Sequence, residues 1–240
     1  MSNEQNNEVR TVENSHENSC NENKNGTKPA YVFPQWVLDW MLRPFVYAVS
    51  LLFWRISFDG QENIPASGGL IVAGNHQTYF DPFWASAKIK RPTRYLAWDA
   101  AFRWPIVGRI LSPVGAWPLK VKGDQRTLRR SYQWLRDGNV IMIFPEGGRC
   151  SKSGQLGHLK HGFVRFALET GAPVLPVTIN GGNRVWPRGQ LLPRFSKVRV
   201  TYHPLYFVKQ LPGEDEHACA ERESARLAKI ICSKFDPDVS

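Results

Sequence analysis

"GLIVAGNHQTYFDPFW", residues 69–84, changes character halfway along. Gly69 to Asn75 is an apolar run of strand length, and an unbroken run of this kind marks a strand buried on both faces of a parallel sheet. Asp81-Pro82 suits the opening of a helix, with the aspartate as cap and the proline in the first turn, where its missing N–H costs nothing. A buried strand, a turn and a helix make the first half of a βα unit. Asn75 and His76 then stand just past the strand's carboxyl end, where sites in parallel sheets collect. On one continuous helix His76 and Asp81 would lie about 140° apart and could not meet. If 76–80 turns and Asp81 opens the helix, they can. The carboxylate then accepts a hydrogen bond from one imidazole nitrogen, sets the tautomer, and stabilises the imidazolium formed when the other nitrogen takes a proton. A helix cap next to a polar turn accounts for the same residues, and this stretch alone leaves both readings open.

The rest of the body repeats the alternation. "RYLAW" (94–98), "NVIMIF" (139–144), "PVLPVTI" (173–179) and "KVRVTYH" (197–203) read as strands. Asp124 to Asp137 reads as a helix capped by Asp124 and stopped by Gly138, and a charged helix covers about 215–234. The expected fold class is α/β, a largely parallel central sheet flanked by helices and preceded by a short membrane-associated helical element.

At 240 residues the chain suits one full domain. Three regions are expected: a disordered polar tail over 1–29, amphipathic interfacial helices over 30–57, and a catalytic domain over 58–240. The first 27 residues hold five Glu against one Arg and one Lys, a charge of −3, so the net +10 of the chain leaves +13 on the remainder. Such a basic body attracts an anionic bilayer leaflet or a polyanion. No nucleic-acid-binding signature is present, which sets nucleic acid aside as a partner. The longest uncharged stretch of the aromatic segment, Pro44 to Trp54, rises about 16 Å as a helix, half of what a bilayer span needs. Helices lying in the interface fit better, with Trp36, Trp40 and Trp54 at headgroup depth, although packing on the protein's own core is the competing reading. Cys20, Cys150, Cys219 and Cys232 have no paired spacing, so neither a zinc site nor a disulfide framework is indicated, and a reducing cytoplasm is the simpler setting. The first thirty residues show no secretory signal.

A second constellation, "IFPEGGRC" (143–150), follows a strand end and offers Glu146, Gly147, Gly148 and Arg149. Glycines admit an anion close to the backbone, and a guanidinium binds phosphate bidentately. The loop therefore suits a phosphate monoester, with Lys120, Lys122, Lys160 and His161 adding positive charge nearby.

Taken in order, Asn75-His76-(four residues)-Asp81, "VGAWPLK" (114–120), Phe144 to Arg149, and Val174-Leu175-Pro176-Val177 resemble the four blocks of the glycerolipid acyltransferases, the lysophosphatidic acid acyltransferase family. The likeness covers roughly 60–205. It implies transfer of an acyl group from acyl-CoA or acyl carrier protein to the free hydroxyl of a lysophospholipid, with 1-acyl-sn-glycerol-3-phosphate giving phosphatidic acid as the family default. It also implies no metal or other cofactor, and work at the cytoplasmic face of a membrane as a peripheral or monotopic protein. By the same resemblance His76 is the general base and Asp81 its orienter. Lys120, Glu146, Gly147, Gly148 and Arg149 bind the substrate phosphate, and Val174 and Pro176 lie on the acyl-donor side. Three positions depart from the pattern: Lys120 stands where the family usually has arginine, Gly148 where it has threonine, and Cys150 where serine is frequent. These departures concern the acceptor more than the reaction. A different lysolipid acceptor and a non-catalytic basic membrane-binding module are the rival expectations. A covalent mechanism finds no G-x-S-x-G elbow in the chain.

Overall fold

The computed structural model describes Pro34, Val37 and residues 41–105, 107–120, 124–149, 155–187 and 189–236. The chain divides into two units, Met1–Tyr31 and Val32–Ser240. The expected polar tail over 1–29, with Trp36, Trp40, Lys122 and Cys150, lies outside the described residues.

Seven strands form one sheet. They are β1 (Ser57–Asp59), β2 (Leu70–Gly74), β3 (Thr93–Trp98), β4 (Ala116–Leu119), β5 (Val140–Ile143), β6 (Val174–Asn180) and β7 (Arg199–Tyr202), in the spatial order β1-β7-β6-β2-β5-β3-β4. From β6 to β4 every pair is parallel, and the direction reverses only at β6–β7. The largely parallel sheet expected from the apolar runs is what forms. The central strands β2, β5 and β6 are buried at every position, because helices cover both faces.

The helices are α1 (Arg43–Trp54), α2 (Asp81–Ser86), α3 (Val107–Leu111), α4 (Gln125–Arg136), α5 (Gly162–Thr170), α6 (Gly182–Val185) and α7 (Glu216–Cys232). One face of the sheet packs against α4, α5 and α7 through Leu135, Phe163, Phe166, Leu227 and Ile231. The other packs against α1, α2 and α6 through Trp54, Trp84, Ala85 and Val185. Helix α4 starts where Asp124 accepts the Thr127 amide at 3.1 Å, and it ends before Gly138, whose φ of +81° is the left-handed conformation that glycine adopts freely.

Helix α1 divides its side chains between the core and solvent. Its inner side joins the core: Ser50 is buried and accepts the Trp84 indole N–H at 3.0 Å, and Trp54 donates its indole N–H to the Arg194 carbonyl at 3.0 Å. Phe45, Leu51, Leu52 and Phe53 remain exposed. The expectation that Trp54 sits at headgroup depth is corrected. It is a core residue wedged against Phe80 and Trp84, because burying its large ring there removes more apolar surface from water than an interfacial position does. Among the described residues no helix is long and apolar enough to cross a membrane.

Candidate active site

Neighbouring strands β2 and β5 send their chains to opposite faces of the sheet, β2 into α2 and β5 toward α5. Where adjacent connections part in this way, a crevice opens at the carboxyl ends of the strands. His76 leaves β2 and Glu146 leaves β5 at that switch point. The exit of β2 is clamped by Asn75, which is buried, donates its amide to the Ile179 carbonyl at 2.8 Å and accepts the Ile179 N–H at 2.7 Å. The turn therefore starts from a backbone tied to β6.

Across the turn His76 and Asp81 meet. His76 Nδ1 lies 2.8 Å from Asp81 Oδ2, and the same oxygen accepts the backbone N–H groups of Gln77 at 2.5 Å and Thr78 at 2.7 Å. Asp81 is fully buried at the first position of α2. Burial pushes its carboxyl above the usual carboxylate range, while the imidazole and the two amides pull in the opposite direction. Three donors converging on one oxygen suit the ionised form, which leaves Nδ1 of His76 carrying the hydrogen and Nε2 as the basic nitrogen. The imidazole is stacked on Phe144, with ring centres 4.4 Å apart and planes 22° apart, so it is fixed from β5 as well.

Glu146 stands on the other wall. One carboxylate oxygen accepts the His76 N–H at 2.7 Å and the other accepts the Gly157 N–H at 2.8 Å. Both oxygens are therefore engaged with backbone, and Glu146 braces the 75–81 turn against the 144–149 turn. Burial raises its carboxyl, and those two amides oppose the rise. Gly147 has a φ of +70°, and a Cβ there would collide with the end of the Lys160 side chain, which places that ammonium beside the turn. Arg149 lies over the Tyr79 ring, its guanidinium carbon 3.8 Å from the ring centre, and donates to the Tyr79 hydroxyl at 3.0 Å. Tyr79 belongs to the histidine turn, so the stacked guanidinium links the two motifs.

Thus His76, Asp81, Glu146, Gly147 and Arg149 come together, with Gly148 exposed in the same turn and open space around the position its Cβ would take. Lys120 is exposed just past β4, on the same edge but three strands from β2, about 14 Å at ordinary strand spacing. His161 turns its ring toward His217 of α7, 5.8 Å between centres. Val174 and Pro176 are buried inside β6, and Pro176 pairs with Ala73, so neither presents a surface to a ligand.

Four supporting residues escaped the sequence reading. Asn75, Gln77 and Tyr79 lay within the quoted motif without assigned roles. The fourth, Gly182, comes 106 residues after His76 in sequence: its N–H binds Gln77 Oε1 at 2.9 Å, and a Cβ there would lie 2.9 Å from Gln77 Cβ and 3.2 Å from Asp81 Oδ1. The available signal was Gly181-Gly182 directly after the β6 run, at the same carboxyl edge of the sheet.

Fold and site together define a parallel α/β protein carrying a histidine–aspartate dyad beside a cationic glycine turn. A family model for acyltransferases matches residues 55–180, and the chain belongs to that family. It is 32% identical over 185 residues to the chloroplastic 1-acyl-sn-glycerol-3-phosphate acyltransferase of Arabidopsis thaliana, covering 75% of this chain and 50% of that protein. It is 29% identical over 184 residues to a 1-acyl-sn-glycerol-3-phosphate acyltransferase of Borreliella burgdorferi, covering 74% and 68%. The chain thus spans about half the length of the plant relatives it matches. Among solved structures it resembles the 1-acyl-sn-glycerophosphate acyltransferase PlsC from Thermotoga maritima, with a TM-score of 0.65, 25% identity, and coverage of 83% of this chain and 81% of that one.

Proposed function

We propose that this chain moves a fatty acyl group from an acyl thioester, acyl-CoA or acyl carrier protein, to the free hydroxyl of 1-acyl-sn-glycerol-3-phosphate at a membrane surface. The observation that carries the reading is the 2.8 Å contact between His76 Nδ1 and a buried carboxylate oxygen of Asp81 that accepts three hydrogen bonds. It leaves Nε2 to accept the hydroxyl proton as the oxygen attacks the thioester carbonyl. The C–O bond forms, the C–S bond breaks, and the proton passes from Nε2 to the departing thiolate. No acyl-enzyme is formed. Arg149, held on Tyr79, and Lys160 supply the positive charge for the acceptor phosphate. Glu146 serves by holding both turns in place rather than by touching the phosphate. The names of the relatives from Arabidopsis and Borreliella support the choice of acceptor, and the basic body with its exposed apolar helix supports the membrane setting.

Purified protein offered acyl-CoA or acyl carrier protein with a panel of lysolipids, product followed by mass, tests the reading. The expected result is phosphatidic acid, formed ~10²–10⁴-fold more slowly by a folded His76→Ala variant. A folded variant that keeps near-native turnover refutes the scheme.

A further inference from the structure

Between α6 and β7 the chain runs through "GQLLPRFSKV", residues 189–198, without helix or strand before Arg199. In water this is an unfavourable surface. Leu191 is 88% exposed, Leu192 71% and Phe195 78%. Scattered single apolar residues are ordinary on a surface, but a contiguous group marks an interaction site.

The loop is nevertheless anchored. The Arg194 N–H donates to the Val185 carbonyl at 2.7 Å, the Arg194 carbonyl accepts the Trp54 indole N–H, and the Val198 N–H donates to the Trp54 carbonyl at 3.0 Å. Phe195 stacks on Phe53 of α1, ring centres 5.4 Å apart and planes 19° apart. That contact joins the loop to α1, which also exposes Phe45 and Leu52, so exposed apolar side chains from two segments about 140 residues apart meet at Phe53 and Phe195.

Charge identifies what covers it. No Asp or Glu occurs from Trp40 to Phe58 or from Thr170 to Gly213. The charged residues of the loop itself, Arg194 and Lys197, are both cationic. A second copy of this chain would bring the same cations against them, whereas an anionic leaflet provides both an apolar layer and negative headgroups. The position also suits a lipid acceptor. Aromatic contacts run from Trp54 to Phe80, from Phe80 to Trp186 and from Trp186 to Tyr79, the residue on which Arg149 rests.

We infer that residues 189–197 form a second membrane-insertion element, in which Leu191, Leu192 and Phe195 enter an anionic leaflet together with Phe45, Leu52 and Phe53 of α1 while Arg194 and Lys197 meet its headgroups. This rests on the membrane setting proposed above and extends it to a particular loop.

The test is co-sedimentation of the full chain with phosphatidylcholine vesicles containing roughly 30% phosphatidylglycerol, with no substrate present. Leu191→Asn/Leu192→Asn alters side chains already in solvent, so the fold is unaffected, and unchanged melting checks this. Expected is ~10–100-fold weaker partitioning of the variant, from the apolar transfer lost at two leucines. Leu211→Asn, an exposed leucine on the α7 side, should bind as the unmodified chain does. Binding of the double variant within two-fold of the unmodified chain overturns the loop's role and leaves the membrane setting intact. Failure of the unmodified chain to bind overturns both. Self-association in the ultracentrifuge that the double variant abolishes assigns the surface to a second copy and also overturns the inference. Acyl transfer enters none of these readouts, so the catalytic reading stands or falls separately.

Discussion

Replacing Gly182 with alanine should slow acyl transfer although residue 182 carries no chemistry. The added Cβ would stand 2.9 Å from Gln77 Cβ, 3.1 Å from Gln77 Oε1 and 3.2 Å from Asp81 Oδ1. Carbon atoms in good contact are about 3.5–4.0 Å apart, so roughly 0.6–1.1 Å must be found. Gln77 cannot yield by rotation, because its Cβ is fixed to the backbone, and that backbone donates to Asp81 Oδ2. A shift of residue 77 therefore moves the oxygen that holds His76 Nδ1. Misplacement by about 1 Å at a reacting group costs up to ~10²-fold, so kcat should fall ~10–100-fold, a barrier increase of about 1.4–2.7 kcal/mol. Overpacking of this kind costs about 1–3 kcal/mol of stability. The new methyl's three nearest neighbours belong to Gln77 and Asp81 rather than to Arg149 or Tyr79, so KM for the proposed lysophosphatidate acceptor should change less than about three-fold. Steady-state kinetics and thermal melting on the purified chain give all three quantities. Gly162→Ala is the comparison, since its Cβ would meet only Ile143 Cδ1 at 3.9 Å and both parameters should stay as they are. A Gly182→Ala protein with unchanged kcat would show that the dyad does not depend on this contact.

Asn75→Ala removes both partners of Ile179 and leaves a buried N–H and C=O unsatisfied, so denaturant unfolding should show a loss of about 2–4 kcal/mol. Gly148→Thr restores the hydroxyl usual in the family at a position where a Cβ meets nothing within 4 Å, and KM for lysophosphatidate should fall a few-fold with melting unchanged; a raised KM would place the acceptor elsewhere. Burial, helped by Lys234, lowers His203 from the ordinary 6.5 to about 4. The unfolded chain therefore binds the extra proton first. Stability is full above pH 6.5 and declines as pH falls toward 4, by roughly 1.5–2 kcal/mol after allowance for solvent screening. Urea unfolding at pH 7 and pH 4.5, compared between the unmodified chain and His203→Gln, should show a smaller difference in the variant.

The strands most legible in the sequence were the ones buried on both sides. Runs such as "LIVAG" and "VIMI" carry no polar residue, since helices cover both faces of the sheet, and composition alone exposes them. Strand β1 is three residues long and β4 includes an exposed proline, so neither has an apolar run to announce it. The same logic divides the site. His76 and Asp81 could be paired from the chain because they belong to one turn, and Glu146 to Arg149 could be placed because they end a strand of the same sheet.

Which strands are neighbours depends on packing between segments far apart in sequence, and no local pattern contains it. Only the sheet order sets β5 against β2, so that Glu146 braces His76 and Arg149 rests on Tyr79. Only the exit of β6 brings Gly182 against Gln77, and only the folded chain lays the 189–197 loop along α1. Residue types and their local spacing determined the dyad's chemistry and the sheet's class, because both arise within a few residues. The brace, the glycine clearance and the apolar surface required tertiary structure, because each joins parts of the chain that approach only when the core closes.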